Sequence, residues 1–160
     1  MGMAVFSEAD STEDVIALAW ILEDGSQRFY EGLVSFLQDE AAKALYESLV
    51  KAESKHKEIL EKLYRDTTGK GLTTDVTGQD GSRDIMEGGA SLSEALRWAK
   101  GKSTIDLFQF SMSAEINAYD LYLKMADRME QASAKEVFRK LALEEKVHLA
   151  GMGDLLGQQF

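Results

Sequence analysis

The sequence predicts an all-α fold, a four-helix bundle whose two helical pairs are separated by a long crossover carrying one short extra helix. Three observations predict it. The 160 residues contain no proline and are rich in Ala, Leu, Glu, Lys and Met, the side chains that lose least on entering a helix. Four stretches carry apolar residues at helical spacing, and each opens on a capping residue. Between the second and third stretch the periodicity gives way to Gly, Thr, Asp and Ser over residues 69–89, a loop composition.

The first helix is expected from Ser11, with Asp14 as its capping-box partner, through Val15, Ile16, Leu18, Leu22, Phe29, Leu33 and Leu37. Asp39 caps the second, which carries Leu45, Leu49, Val50, Ile59, Leu60 and Leu63 and fades at Asp66. So short a connection makes the two antiparallel neighbours. In the crossover, Ser91 and Glu94 cap a short helix, Leu92 to Lys100, that stops at Gly101. Ser103 with Asp106 opens the third long helix, which reaches about Glu130, and Ser133 with Glu136 opens the fourth, which ends near Gly157. A chain of this length forms one domain, residues 1–160.

Composition narrows the chemistry. With no cysteine there is no disulfide, thiolate metal site, iron–sulfur cluster or thiol nucleophile, so any metal must be held by oxygen and nitrogen. A net charge of -10 argues against nucleic acid or an anionic membrane as partner, because both demand a cationic face. The start of the chain lacks the basic and apolar pattern of a secretory leader and the serine placement of a myristoylation signal, and no stretch is long enough to span a membrane. A cytoplasmic location is expected.

The two halves repeat at an offset of 92 positions. Glu23 corresponds to Glu115, Tyr30 to Tyr122, Ala42 to Ala134, Lys43 to Lys135, Leu49 to Leu141, Glu53 to Glu145 and His56 to His148. Tyr46 against Phe138 is a near match. Glu53 with His56, and Glu145 with His148, stand three apart and share a helix face over adjacent turns, so each pair is able to grip one ion. Glu23 and Glu115 each precede a tyrosine by seven positions, which puts acid and phenol within about 20° on the helical wheel. Glu23 lies on a stripe with Ile16, Tyr30 and Leu37, an inward stripe on which an unpaired carboxylate is costly.

Two divalent ions remove that cost, since four carboxylates and two neutral imidazoles balance them without residual charge. For a single Glu-x-x-His, surface acids beside a core histidine would be the simpler account. Here the chain has only two histidines, both lie in that motif, and both follow a Glu-x6-Tyr glutamate at the same distance. Hard carboxylates mixed with imidazole suit iron, manganese or zinc, and the ligand types alone do not choose among them. The pattern of one Glu from each of two helices and Glu-x-x-His from the other two is the one known for di-iron and di-manganese carboxylate bundles.

On Glu23 with Tyr30, Glu53 with His56, Glu115 with Tyr122 and Glu145 with His148, the sequence resembles the rubrerythrin branch of the ferritin-like superfamily, from about Asp10 to Leu156. The resemblance implies a ferritin-like bundle with two iron ions. It implies that Glu53 and Glu145 bridge, that Glu23 and Glu115 are terminal or shifting ligands, and that Tyr30 and Tyr122 hydrogen-bond ligands of the opposite half. It further implies reduction of hydrogen peroxide or dioxygen, as in a peroxidase or ferroxidase, and a homodimer, for which the apolar surplus of the first and third helices would serve. Two departures follow. Rubrerythrins proper append a four-cysteine rubredoxin domain, absent here, so a separate electron-donor protein is expected. They also carry a glutamate three residues after the third-helix ligand, where this chain has Ala118, which makes the six-ligand set closer to the symmetric centres of bacterioferritin-type proteins. With no fifth helix, a storage cage is not expected. The alternative is a protein that buffers or carries metal without turnover.

Weaker motifs are better read as structure. Gly69, Lys70 and Gly71 lack the strand and hydroxyl residue of a phosphate loop, and Asp75, Asp80 and Asp84 lack the spacing of a calcium loop. Trp20, Phe29, Phe36, Phe108 and Phe110 read as core or subunit interface, and Trp98 as an anchor for the short helix.

Overall fold

The computed structural model describes residues 11–78 and 83–158; the chain start weighed above for a leader, and Asp80, lie outside them. Four long helices dominate: α1 (Thr12–Phe36), α2 (Glu40–Thr68), α5 (Thr104–Arg128) and α6 (Ala132–Gly157). The crossover holds α3 (Thr74–Thr77), a 3-10 turn (Glu87–Gly89) and α4 (Leu92–Ala99). Among the described residues there is no strand, and the architecture is the all-α, ferritin-like four-helix bundle.

Local chemistry sets most boundaries. Ser11 accepts from the Asp14 backbone N–H while Asp14 accepts from Ser11 N–H, a complete capping box. The Asp39, Ser91 and Ser103 side chains likewise accept from Ala42, Glu94 and Asp106 N–H. Helix α2 runs to Thr68, beyond the expected Asp66, because Gly69 at φ 73 takes the left-handed cap and its N–H bonds Arg65 carbonyl. Helix α5 stops at Arg128, two residues before the expected end. Helix α6 corrects the expectation at Ser133: its cap is Gln131, with no side-chain cap bond, and Ser133 lies inside the first turn. Ala134 is fully buried there, and packing begins the helix earlier than the cap motif suggests.

Two apolar clusters fill the bundle. One gathers Ile16, Leu60, Met125, Phe138 and Leu141; the other gathers Phe29, Leu33, Leu49, Phe108 and Met152. Along α1 and α6 the chain passes from the first cluster to the second, and along α2 and α5 from the second to the first. Helices α2 and α5 therefore point the same way, and the crossover must travel the length of the bundle between them. Leu72 and Val76 pack on the first cluster, whereas Met86, Leu92 and Ala95 belong to the second. On all four long helices the stretch between the two clusters holds the acids and imidazoles.

The aromatics are mostly core. Phe29 and Phe108 are fully buried, and Trp98 of α4 packs on Phe110 at 5.1 Å between ring centroids. Trp20 is half-buried and donates its indole N–H to Glu61 at 3.0 Å. The exposed large apolar side chains among the described residues are Trp98, Ile116, Leu123, Leu143 and Val147. They lie on α4, α5 and α6, so the apolar surplus of the first helix is spent inside the bundle.

Candidate metal centre

Glu23 of α1, Glu53 and His56 of α2, Glu115 of α5 and Glu145 of α6 are all fully buried, and the His148 side chain of α6 is 14% exposed. The structure brings the six together. His56 Nδ1 stands 3.2 Å from Glu23, 3.6 Å from Glu53 and 3.3 Å from Glu145. His148 Nδ1 stands 3.5 Å from Glu115 and 3.4 Å from Glu145. The two imidazoles lie nearly parallel, with centroids 5.6 Å apart.

The donors fall into two groups, Glu23, Glu53, His56, Glu145 and Glu53, Glu115, Glu145, His148, within each of which the ligand atoms lie no more than 4.8 Å apart. Ligands about 2.1 Å from one ion span up to about 4.2 Å, so each group is close to closing around a cation. Glu53 and Glu145 belong to both groups. Glu145 turns Oε1 toward His56 of one group and Oε2 toward His148 of the other, which is how a bridging ligand behaves.

The fit of a metal rests on atoms that have nothing else to bond. Both oxygens of Glu53 and of Glu145, Oε2 of Glu115 and Nδ1 of His148 are buried without a hydrogen-bond partner. A buried acceptor left unpaired costs about 1–3 kcal/mol, more when charged, and six atoms sharing that condition in one place call for cations.

Tyr30 donates to Glu115 Oε1 at 2.6 Å, and Tyr122 donates to Glu23 Oε1, so each phenol serves the glutamate of the other half. Both tyrosines are fully enclosed, and burial beside Glu23 and Glu87 pushes them well above the usual phenol range. They stay neutral donors.

Electrostatics reflect the crowding. Burial raises Glu23 despite the opposing pull of His56. His56, which burial alone would lower, is pushed up to about 11 by Glu23 and Glu145. Burial also works to raise Glu145, but the nearby His148 and His56 rings, 3.4 and 3.3 Å from its oxygens, outweigh it and hold Glu145 below the usual range. In the metal-free protein a proton on His56 thus does part of the work of a cation.

Two functional-looking residues escape sequence reasoning. Glu144 accepts from or shares a proton with His56 Nε2 at 2.6 Å, fixing the ring so that Nδ1 faces the acids. The repeat places Ala52 at the matching position of the first half, so His148 has no such partner from the duplication. Glu87 of the crossover is also fully buried, with both oxygens unpartnered. It has no repeat partner and lies in a stretch of loop composition. Only an acid beside Met86 and two glycines hinted at it.

Residues 85–159 match the family model described as Rubrerythrin. Among solved structures, a hypothetical protein from Pyrococcus furiosus is similar at TM-score 0.71 and 25% identity, over 98% of this chain and 94% of that one. Among curated proteins none matches. No described helix is long and apolar enough to cross a membrane. The helical order, the repeat and the buried acid–imidazole cluster agree with that match, and over residues 85–159 the chain is similar to rubrerythrins of the ferritin-like superfamily.

Proposed function

We propose that the protein is a non-haem di-iron carboxylate oxidoreductase that reduces hydrogen peroxide or dioxygen. The carrying observation is the pair of donor groups sharing Glu53 and Glu145. Four carboxylates neutralise two divalent ions, and the mixed oxygen and nitrogen donors suit iron, with manganese or zinc as other occupants. A ferrous pair, when bound, supplies the two electrons that, with two protons, turn one peroxide into two waters.

The chain's own residues do the rest. Glu53 and Glu145, which belong to both donor groups, would hold both ions, while Glu23 and Glu115 would each hold one. Tyr30 and Tyr122 orient those outer carboxylates and, as neutral phenols, are able to lend a proton at the glutamate oxygen they already bond. Glu144 holds His56 in the orientation that offers Nδ1. The apolar clusters above and below exclude water. Electrons would come from a separate donor protein. A second copy of the chain is the proposed partner for the exposed apolar side chains of α5 and α6, and the cytoplasm the proposed location.

The test is anaerobic reconstitution with ferrous iron followed by a stoichiometric addition of peroxide. A ferric, oxo-bridged absorption band and about one peroxide consumed per iron pair are expected. Iron uptake without that band would count against turnover. The complete burial of the four glutamates favours, as a second reading, a protein that buffers or carries iron without turnover. Metal uptake inert to both oxidants, with a melting temperature lowered by chelator, would establish it.

A further inference from the structure

Glu87 sits where a loop has no ordinary reason to put an acid. It is 2% exposed, and neither carboxylate oxygen has a hydrogen-bond partner. Burial pushes it well above the usual carboxylate range, with Glu145 and Glu23 raising it further, and the bond from its backbone N–H to Ser26, three residues after Glu23, sets it beside the Glu23 stretch of α1. Tyr30 and Tyr122 both feel its charge.

The backbone around it is built for close approach. A Cβ on Gly25 would lie 1.9 Å from the Ile85 carbonyl oxygen, so only glycine lets the crossover settle on α1 at this level. Gly25 is two residues from Glu23. The next residue, Ser26, accepts from the Glu87 backbone N–H at 3.2 Å. Gly88 and Gly89 take φ 83 and 77, and a turn closed by Gly89 N–H to Met86 carbonyl and Met86 N–H to Ala90 carbonyl fixes the segment. On the other side Gly88 approaches Ala114 and Asn117 of α5, next to Glu115. Three contacts with two helices and one turn of the crossover hold one acid at the height of the metal centre.

We propose that Glu87 is a further carboxylate ligand of the metal pair, carried in by the crossover to the ion held by Glu23, Glu53, His56 and Glu145. This rests on the reading of the cluster as a metal centre. A fifth carboxylate exceeds the charge of two divalent ions by one, so the site becomes asymmetric. The ion on the Glu23 side gains an anionic donor that the ion on the Glu115 side lacks, and a pair of higher total charge is favoured over a divalent pair. The duplicated sequence thereby yields two unequal metal positions.

The test uses the full chain stripped of metal and titrated with cobalt(II), whose visible absorption reports coordination number, in wild type, Glu87→Gln and Glu87→Met. Circular dichroism melting of each metal-free form verifies folding; replacing an acid in a cluster of acids by a neutral side chain of similar length is expected to leave it folded. Two cobalt ions per chain are expected in all three. In both variants one of the two should bind at least tenfold more weakly, with a changed absorption intensity, and gallium(III) binding should weaken more than cobalt(II) binding. Unchanged cobalt affinities and spectra in either folded variant would overturn the role of Glu87 alone. A wild type that takes up no cobalt would overturn the metal centre with it.

Discussion

At the scale of single residues, the shared carboxylates and the outer ones should behave differently on substitution. Glu53→Gln or Glu145→Gln removes a donor from both groups, and uptake of both ions should fall. Glu23→Gln or Glu115→Gln removes a donor from one group, and one ion per chain should remain. Metal analysis after equilibrium dialysis distinguishes the two patterns; equal losses in all four variants would contradict bridging. The phenols admit a similar contrast. Tyr122→Phe leaves Glu23 without its donor, and Tyr30→Phe does the same to Glu115. A hydrogen bond to a charged acceptor contributes about 1.5–3 kcal/mol, so each variant should lose roughly that much metal-free stability in urea unfolding. The sequence alone revealed both tyrosines through the seven-residue spacing. It gave no hint of Glu144, whose link to His56 crosses from α6 to α2 and follows no repeat.

At the scale of elements, the crossover matters as much as the long helices. It is tied to α1 by the Arg28 guanidinium on the Arg83 carbonyl at 3.0 Å, by Ser26 on Glu87 N–H, and by the missing side chain at Gly25. Gly25→Ala suits an isolated helix better, yet its Cβ would collide with backbone at Ile85, which has no flexible end to yield. Forcing extra atoms into such a contact costs about 1–3 kcal/mol. The variant should melt lower than wild type and be cut faster by protease between residues 70 and 90, while α1 and α2 stay resistant. Cap chemistry made Ser11, Asp39, Ser91 and Ser103 readable as helix starts, since each side chain satisfies a backbone donor a few residues on. It failed at Ser133 because the burial of Ala134 and the short link after Met129 weigh more than a surface cap.

For the whole molecule, protons and metal compete for the same interior. His56 has a folded value of about 11 against an ordinary 6.5. Its protonation therefore stabilises the metal-free fold fully below pH 6.5, and that contribution is lost as pH rises toward 11. Glu23 and Glu87, both raised, act in the same sense from the carboxylate range upward. The melting temperature of chelator-treated protein should fall as pH climbs from about 6.5, whereas metal-loaded protein should show little slope, the ions having displaced the proton. Calorimetric metal titration at neutral pH in buffers of different ionisation enthalpy should report at least one proton released, from His56 and from the raised acids beside it; none released would mean the imidazole is already neutral.

By itself the sequence determined the helical class, the order of two helices, crossover and two helices, and six candidate ligands with their two tyrosines. Periodicity, caps and a repeat are properties of neighbouring residues, and they survive without knowledge of distant contacts. Only the tertiary structure decided that Glu53 and Glu145 face both donor groups, that each phenol reaches the opposite half, and that Glu87 enters from a loop. Those are meetings of residues tens of positions apart, and what brings them together is the packing of two apolar clusters around an interior that no short stretch of chain encodes.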